Sequence, residues 1–197
     1  MVDVSEGLRQ QHHLASKVKE SKEGTKEMRR IATITTAIML MLALSAGAAF
    51  AATITGRSWA ETLTGTAKGD TISGLGGDDA LIGKAGDDFL YGGGGHDALY
   101  GGPGSDEIRG GSGDDRAEER AVYGGEGNDT LYGDDGDDAL YGGPGTDKLY
   151  GGAGSDLIGS EGDGKVDTVD CGSGIDAVKK SPIEQLDRFV NCERFVS

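Results

Sequence analysis

Apolar positions fall into three regimes along this chain. From Ile31 to Leu44 they run together, broken only by Thr33, Thr35 and Thr36. From Gly56 to Gly159 they thin to one aliphatic residue in every nine, flanked by short polar or aromatic neighbours. After Gly159 the rhythm loosens, and Leu186, Phe189, Val190, Phe195 and Val196 supply the apolar mass of the C-terminal end. One aliphatic residue at so long an interval does not make the stripe of an amphipathic helix. It predicts a three-residue strand with a single inward side chain, repeated so that stacked copies bury together what none can bury alone.

The middle regime is a repeat of nine residues. GLGGDDALI, GKAGDDFLY, GGGGHDALY and GGPGSDEIR run from Gly74 to Arg109, and GGEGNDTLY, GDDGDDALY, GGPGTDKLY and GGAGSDLIG run from Gly124 to Gly159. Their eighth places are Leu81, Leu90, Leu99, Ile108, Leu131, Leu140, Leu149 and Ile158, the inward side chains. Glycines at places one, two and four permit positive φ and close backbone approach, so six residues can turn with their carbonyls facing a common space. An aspartate at place six adds a carboxylate. Hard oxygen donors in a flexible turn suit Ca²⁺ better than Mg²⁺, which demands a stricter octahedron.

If each phrase is half a coil, residues eighteen apart stack on one edge. Asp79, Asp97 and Asp115 then line one edge and Asp70, Asp88 and Asp106 the other. Neighbouring strands lie only about 4.8 Å apart, so bare carboxylates at that spacing repel. A divalent cation between consecutive turns would offset the repulsion. A flexible acidic linker is the bland alternative for Gly/Asp-rich sequence, but it has no reason to return an aliphatic residue at a fixed place.

The phrase resembles the G-G-x-G-x-D-x-U-x nonapeptide of the RTX (haemolysin-type) calcium-binding proteins. That resemblance implies an all-β fold, a right-handed parallel β-roll with short capping segments, and ions shared by the aspartates and backbone carbonyls of neighbouring turns. The candidate ligands are Asp70, Asp79, Asp88, Asp97, Asp106, Asp115, Asp129, Asp138, Asp147 and Asp156. Carbonyls of Gly92, Gly94, Gly101, Gly110, Gly124, Gly133, Gly142 and Gly151 complete the set.

Departures from the repeat carry their own expectations. Residues 52–73 read as an N-terminal cap of degenerate phrases, with Glu61 a doubtful ligand in the aspartate place and Trp59 a packing lid over the open end. Arg116 to Arg120 reads as a loop inserted before a strand Ala121-Val122-Tyr123, with Val122 inward. On that reading one roll continues through residues 74–159, with Asp115 stacked on Asp138 and Asp106 on Asp129. The tyrosines all take the outward ninth place, so Tyr132 should stack on Tyr150 and Tyr123 on Tyr141. They either support the sheets or offer a strip to a sugar or surface. His96 occupies a variable, solvent-facing turn place. In residues 160–197, Asp167 and Asp176 keep the frame with Val169 and Val178 inward, but Lys165, Val166 and Ile175 should weaken calcium binding. The final residues read as a cap. Cys171 and Cys192 are the only cysteines, and an even count in an exported protein predicts a disulfide between them.

Met28, Arg29 and Arg30, the apolar run and the ending Ala49-Phe50-Ala51 follow the plan of a helical secretory signal, residues 28–51, cleaved after Ala51. Residues 1–27 then read as a polar leader from an over-called start, since Met28 would give a signal of ordinary length. An uncleaved membrane anchor from Ile31 to Ala52 is the other reading, and the alanine-rich end favours cleavage. The net charge is −15, and beyond Ala51 there are 12 Lys/Arg against 29 Asp/Glu. Such a chain suits cations and excludes nucleic acid as a partner. No H-E-x-x-H, no G-x-S-x-G and no lone cysteine with a histidine partner is present, so no enzyme is expected. The function expected is a secreted calcium binder that folds on its ions. An adhesin or matrix protein holding a cell-surface or extracellular polymer, and a relic of a larger RTX toxin or hydrolase, are the alternatives.

Overall fold

The computed structural model of the chain describes residues 50–116, 120–160, 163, 165–180 and 187–196. The leader, the signal segment through Ala49 and Leu186 lie outside them. The described residues form strands joined by turns and contain no helix. Short threonine-, isoleucine- and tyrosine-rich stretches take the extended conformation because branched and aromatic side chains fit a pleated surface. The glycine-rich turns between them reverse the chain every few residues.

Among the described residues, sixteen strands alternate between two parallel sheets of eight. Numbered in chain order, one sheet holds β1 (Thr53–Thr55), β3 (Thr71–Ser73), β5 (Phe89–Gly94), β7 (Glu107–Ser112), β9 (Thr130–Asp135), β11 (Lys148–Gly154), β13 (Thr168–Gly174) and β15 (Arg188–Val190). The other holds β2 (Thr62–Thr64), β4 (Ala80–Ile82), β6 (Ala98–Pro103), β8 (Val122–Glu126), β10 (Ala139–Tyr141), β12 (Leu157–Ser160), β14 (Ala177–Lys180) and β16 (Arg194–Val196). Each strand pairs with the next but one, so the chain winds as a solenoid with two strands to a coil. Register is kept throughout: Leu81 lies beside Leu99, Leu99 beside Val122 and Val122 beside Leu140.

The core is a double file of eighth-place side chains. Ile72, Leu81, Leu90, Leu99, Ile108, Val122, Leu131, Leu140, Leu149, Ile158, Val169 and Val178 are all fully buried, and Ile54, Leu63 and Phe189 pack against their ends. Both sheets pass the insertion without a break. β6 pairs with β8 through Leu99 and Val122, and β7 pairs with β9 through Ile108 and Leu131.

At both ends the coil goes further than its glycines do. β1 and β2 are ordinary rungs of the two sheets, paired residue for residue with β3 and β4. The C-terminal segment read as a cap supplies β15 and β16, a last coil built without glycine. Cys171 and Cys192 are joined, with Cα atoms 5.2 Å apart, which ties that coil to the one before. Trp59 does not cover the open end. It stands 55% exposed in the turn between β1 and β2, with the Arg57 guanidinium 5.1 Å over its ring. Trp59 lies in a corner turn, whereas the core is filled by eighth-place side chains and by Cys171.

Candidate metal centre

The sixth-place aspartates are the most buried polar groups of the solenoid. Asp70, Asp79, Asp88, Asp97, Asp106, Asp115, Asp129, Asp138, Asp147 and Asp156 are each 3% exposed or less. They form two ladders, one along each edge. On the first, the amide of Asp70 donates to Oδ1 of Asp88 at 2.7 Å, Asp88 to Asp106 at 2.7 Å, Asp106 to Asp129 at 2.8 Å and Asp129 to Asp147 at 2.9 Å. On the second, Asp79 donates to Asp97 at 2.8 Å, Asp97 to Asp115 at 2.6 Å, Asp115 to Asp138 at 2.9 Å and Asp138 to Asp156 at 2.9 Å. Both ladders cross the insertion.

Each rung uses one carboxylate oxygen, and most leave the other. Oδ2 of Asp79, Asp88, Asp106, Asp129, Asp138, Asp147 and Asp156 is buried with no hydrogen-bond partner. These atoms point back to the first-place glycine of their own turn, where a carbonyl of the following coil also arrives. A methyl group on Gly74 would collide with Asp79 Oδ2 and the Gly92 carbonyl, and one on Gly101 with Asp106 Oδ2 and the Gly124 carbonyl. Gly92, Gly110, Gly124 and Gly133 stand in the same relation to Asp97, Asp115, Asp129 and Asp138. The first place thus needs glycine for space. Positive φ belongs to the second and fourth places, as at Gly102 (115°) and Gly104 (154°). Gly142 and Gly151 also lie against Oδ2, of Asp147 and Asp156. Gly94, a third-place residue, gives its carbonyl to the Gly77 amide at 2.7 Å.

Burial makes the ionised ladders costly. It pushes the carboxyl of Asp115 up to about 8 and that of Asp156 to about 7; neighbouring carboxylates add to both, and the amide hydrogen bonds oppose. Asp97, Asp106, Asp129, Asp138 and Asp147 rise to about 6 for the same leading reason. Asp70 goes the other way. Burial raises it too, but amide hydrogen bonds from Thr66 and Ala52 and the Thr66 hydroxyl together outweigh that and hold it below its ordinary value.

Partnerless buried carboxylate oxygens beside backbone carbonyls are the donor set a hard divalent cation takes, and they fit Ca²⁺. Among the described residues, no three His, Cys, Asp or Glu side chains converge on one point. Carbonyl oxygens must therefore complete any coordination shell. A family model for the RTX calcium-binding nonapeptide repeat, four copies long, matches residues 60–90, 82–117 and 123–158. The chain carries RTX calcium-binding repeats. A comparison with curated protein sequences finds no match.

Two features of these RTX turns escaped the sequence reading. The first is a second ladder on the fifth place, running in the opposite sense. The amide of His96 donates to Asp78 at 3.1 Å, Asp137 to Asp114 at 3.0 Å and Ser155 to Asp137 at 2.7 Å on one edge. On the other edge Ser105 donates to Asp87 at 2.9 Å and Thr146 to Asn128 at 3.0 Å. The signal lay in the repeats, because the fifth place of every clean copy is Asp, His, Ser, Asn or Thr. His96 is exposed, yet its Nδ1 lies 3.0 Å from the Asp114 amide nitrogen. The second is that the frame runs on at both ends. Ala52 holds the sixth place of the first coil, while Asp187 and Glu193 hold it in the last, accepting from the amides of Asp167 and Asp176. Asp187-Arg188-Phe189-Val190 and Glu193-Arg194-Phe195-Val196 could have been found by their acid-x-aliphatic or aromatic pattern alone.

The tyrosines of the repeats form stacks. Tyr100, Tyr123 and Tyr141 follow one another at 5.2 and 5.1 Å, and Tyr132 stacks on Tyr150 at 4.9 Å, with the Arg109 guanidinium 4.1 Å over Tyr132. Rings stacked in this way turn their faces to one another. That arrangement supports the sheets, while Tyr91 and Tyr100 stay exposed.

Proposed function

We propose that this is an exported, non-enzymatic protein whose RTX solenoid orders itself by binding calcium between consecutive turns. The observation that carries the reading is the row of buried, partnerless Oδ2 atoms beside first-place glycines, where at Asp79, Asp88, Asp106, Asp129, Asp138 and Asp156 a carbonyl of the next coil also arrives. Asp79, Asp88, Asp97, Asp106, Asp115, Asp129, Asp138, Asp147 and Asp156 would hold the ions; Asp70, expected from the sequence as a ligand, heads the row with its Oδ2 already accepting from the Thr66 amide. First-place carbonyls such as those of Gly92, Gly101, Gly110, Gly124, Gly133, Gly142 and Gly151 would share them. Bound calcium supplies positive charge where carboxylates stack. The chain supplies the rest: glycines that admit the oxygens, amides that fix Oδ1, and an aliphatic file that closes once the turns are neutralised.

Extracellular modules of this kind bind calcium at about 0.1–1 mM, so the acidic chain would stay unfolded where calcium is scarce and fold where it is plentiful. The disulfide supports a location outside the reducing cytoplasm. Circular dichroism of the exported protein tests the proposal. Strand signal should appear on adding calcium and vanish with chelator, and superimposable spectra would defeat it. Titration calorimetry then counts the ions.

A further inference from the structure

The sequence marks Ala51–Ala52 as a cleavage point, and the structure places the nitrogen of Ala52 on the first carboxylate of a ladder. These two observations are independent and meet at one atom. In the uncut chain the Ala52 amide donates to Asp70 Oδ1 at 2.5 Å. Asp70 is set apart from its successors. Its Oδ2 accepts from the Thr66 amide at 2.5 Å, and its Oδ1 also accepts from the Thr66 hydroxyl at 3.1 Å. It is 3% exposed, while Phe50, just upstream, is 71% exposed and Ala51 is exposed as well, so the bond to be cut is accessible.

We infer that removal of the segment ending at Ala51 creates a site the precursor lacks: the new α-ammonium of Ala52 docks on the Asp70 carboxylate and caps the N-terminal end of the solenoid. The inference rests on the export reading above. An endopeptidase that accepts small residues at Ala49 and Ala51 adds water across the Ala51–Ala52 peptide bond. The C–N bond breaks, Ala51 leaves with a carboxylate, and Ala52 keeps the nitrogen as an ammonium. The same nitrogen that donated as a neutral amide then donates as a cation, and charge-assisted hydrogen bonds are roughly twice as strong as neutral ones. Alanine at this sixth place adds no carboxylate of its own to compete for the ammonium. Cutting one residue earlier would carry the charge about 3.8 Å away along the chain. The register of the first coil therefore matches the mature terminus, and processing and folding meet at one rung.

The test uses the exported protein in calcium. N-terminal sequencing should begin at Ala52, and any other first residue overturns the inference. Selective transamination then converts the terminal amine to a neutral pyruvoyl group. The melting temperature should fall by about 3 °C in the natural protein and by clearly less in Asp70→Asn, which keeps an acceptor for the nitrogen but not the charge. Equal falls in both, or none in either, overturn the ion pair. Should Asp70→Asn fail to fold, a chain retaining Ala51 as its first residue replaces it, and it should melt below the natural protein because its Ala52 nitrogen donates only as a neutral amide; if it melts with the natural protein, the inference is wrong. A transition indifferent to calcium with the coupling intact would sink the calcium reading alone. A calcium-dependent transition without the coupling would sink this inference alone, and a chain with no transition at all would sink both.

Discussion

At the scale of single residues, the nine-residue phrase uses glycine for two different reasons. At the first place the missing side chain makes room for oxygen, and Gly101→Ala should drive a methyl group into Asp106 Oδ2 and the Gly124 carbonyl. Calorimetry of that variant should show fewer bound calcium ions than the natural protein, and an unchanged count would refute the placing of the ions. At the second place the backbone turns left-handed, and three non-glycine residues are held there: Leu75 at φ 78°, Lys84 at 88° and Asp134 at 73°. Such residues cost on the order of 1 kcal/mol or more in that region. Lys84→Gly should stabilise the calcium-loaded protein by about 1 kcal/mol, read as a higher denaturation midpoint. A substitution that removes a charge and a long side chain yet gains stability would trace the cost to the backbone. Sequence alone pointed to the glycines of these places but not to which reason applied where, because a collision with the following coil exists only once that coil is in position.

Elements here are too small to stand alone. A three-residue strand such as β4 or β10 buries one leucine, and its partners are supplied by the coils above and below. The last coil has the least support: β15 and β16 lack the glycine turns, Val190 and Phe195 are half-exposed, and the two are linked to the roll by sheet pairing and by Cys171–Cys192. Closing a loop of 21 positions is worth about 3 kcal/mol of chain entropy. Reduction should therefore lower the melting temperature and loosen β15 and β16 first, which hydrogen exchange would detect as lost protection confined to residues 188–196. Uniform loss along the solenoid would contradict that picture. The insertion is anchored on the outside. Arg120 bonds Asp78 at 2.7 Å and Arg116 bonds Asp137 at 3.0 Å, both fifth-place carboxylates, so the extra residues leave the sheets in register.

For the molecule as a whole, acid and calcium should act as substitutes. Beyond Asp70 the ladder carboxyls rise above their unfolded value of 3.8, to about 6 along most of the row and about 8 at Asp115. In calcium-free solution the folded state then binds more protons than the unfolded one between roughly pH 4 and pH 8. Its stability is greatest below the unfolded value and is lost as pH climbs through the folded ones. The strand signal that chelator abolishes at neutral pH should therefore return as pH is lowered towards about 4, read by circular dichroism. With calcium present, protons and ions compete for the same oxygens, so apparent affinity should fall over the same interval. A calcium-free protein that is most stable at pH 8 would contradict the burial of these carboxylates.

The order of the residues was enough to determine the period, the inward file from Ile72 to Val178, the acid edges and the pairing of Cys171 with Cys192. Each follows from spacing or composition, which stacking copies and does not alter. The stacking itself decided the rest. That Asp Oδ1 is consumed by an amide while Oδ2 is left without a partner, that fifth-place side chains form a counter-running ladder, and that Ala52 sits on Asp70 are relations between consecutive coils. They come into being when residues eighteen or more positions apart are brought within hydrogen-bonding distance. Trp59 and the final coil show the same limit from the other side. Aromatic or apolar character says that a side chain gains by burial, but only the packed coil decides whether its place faces the core, a partner strand or water.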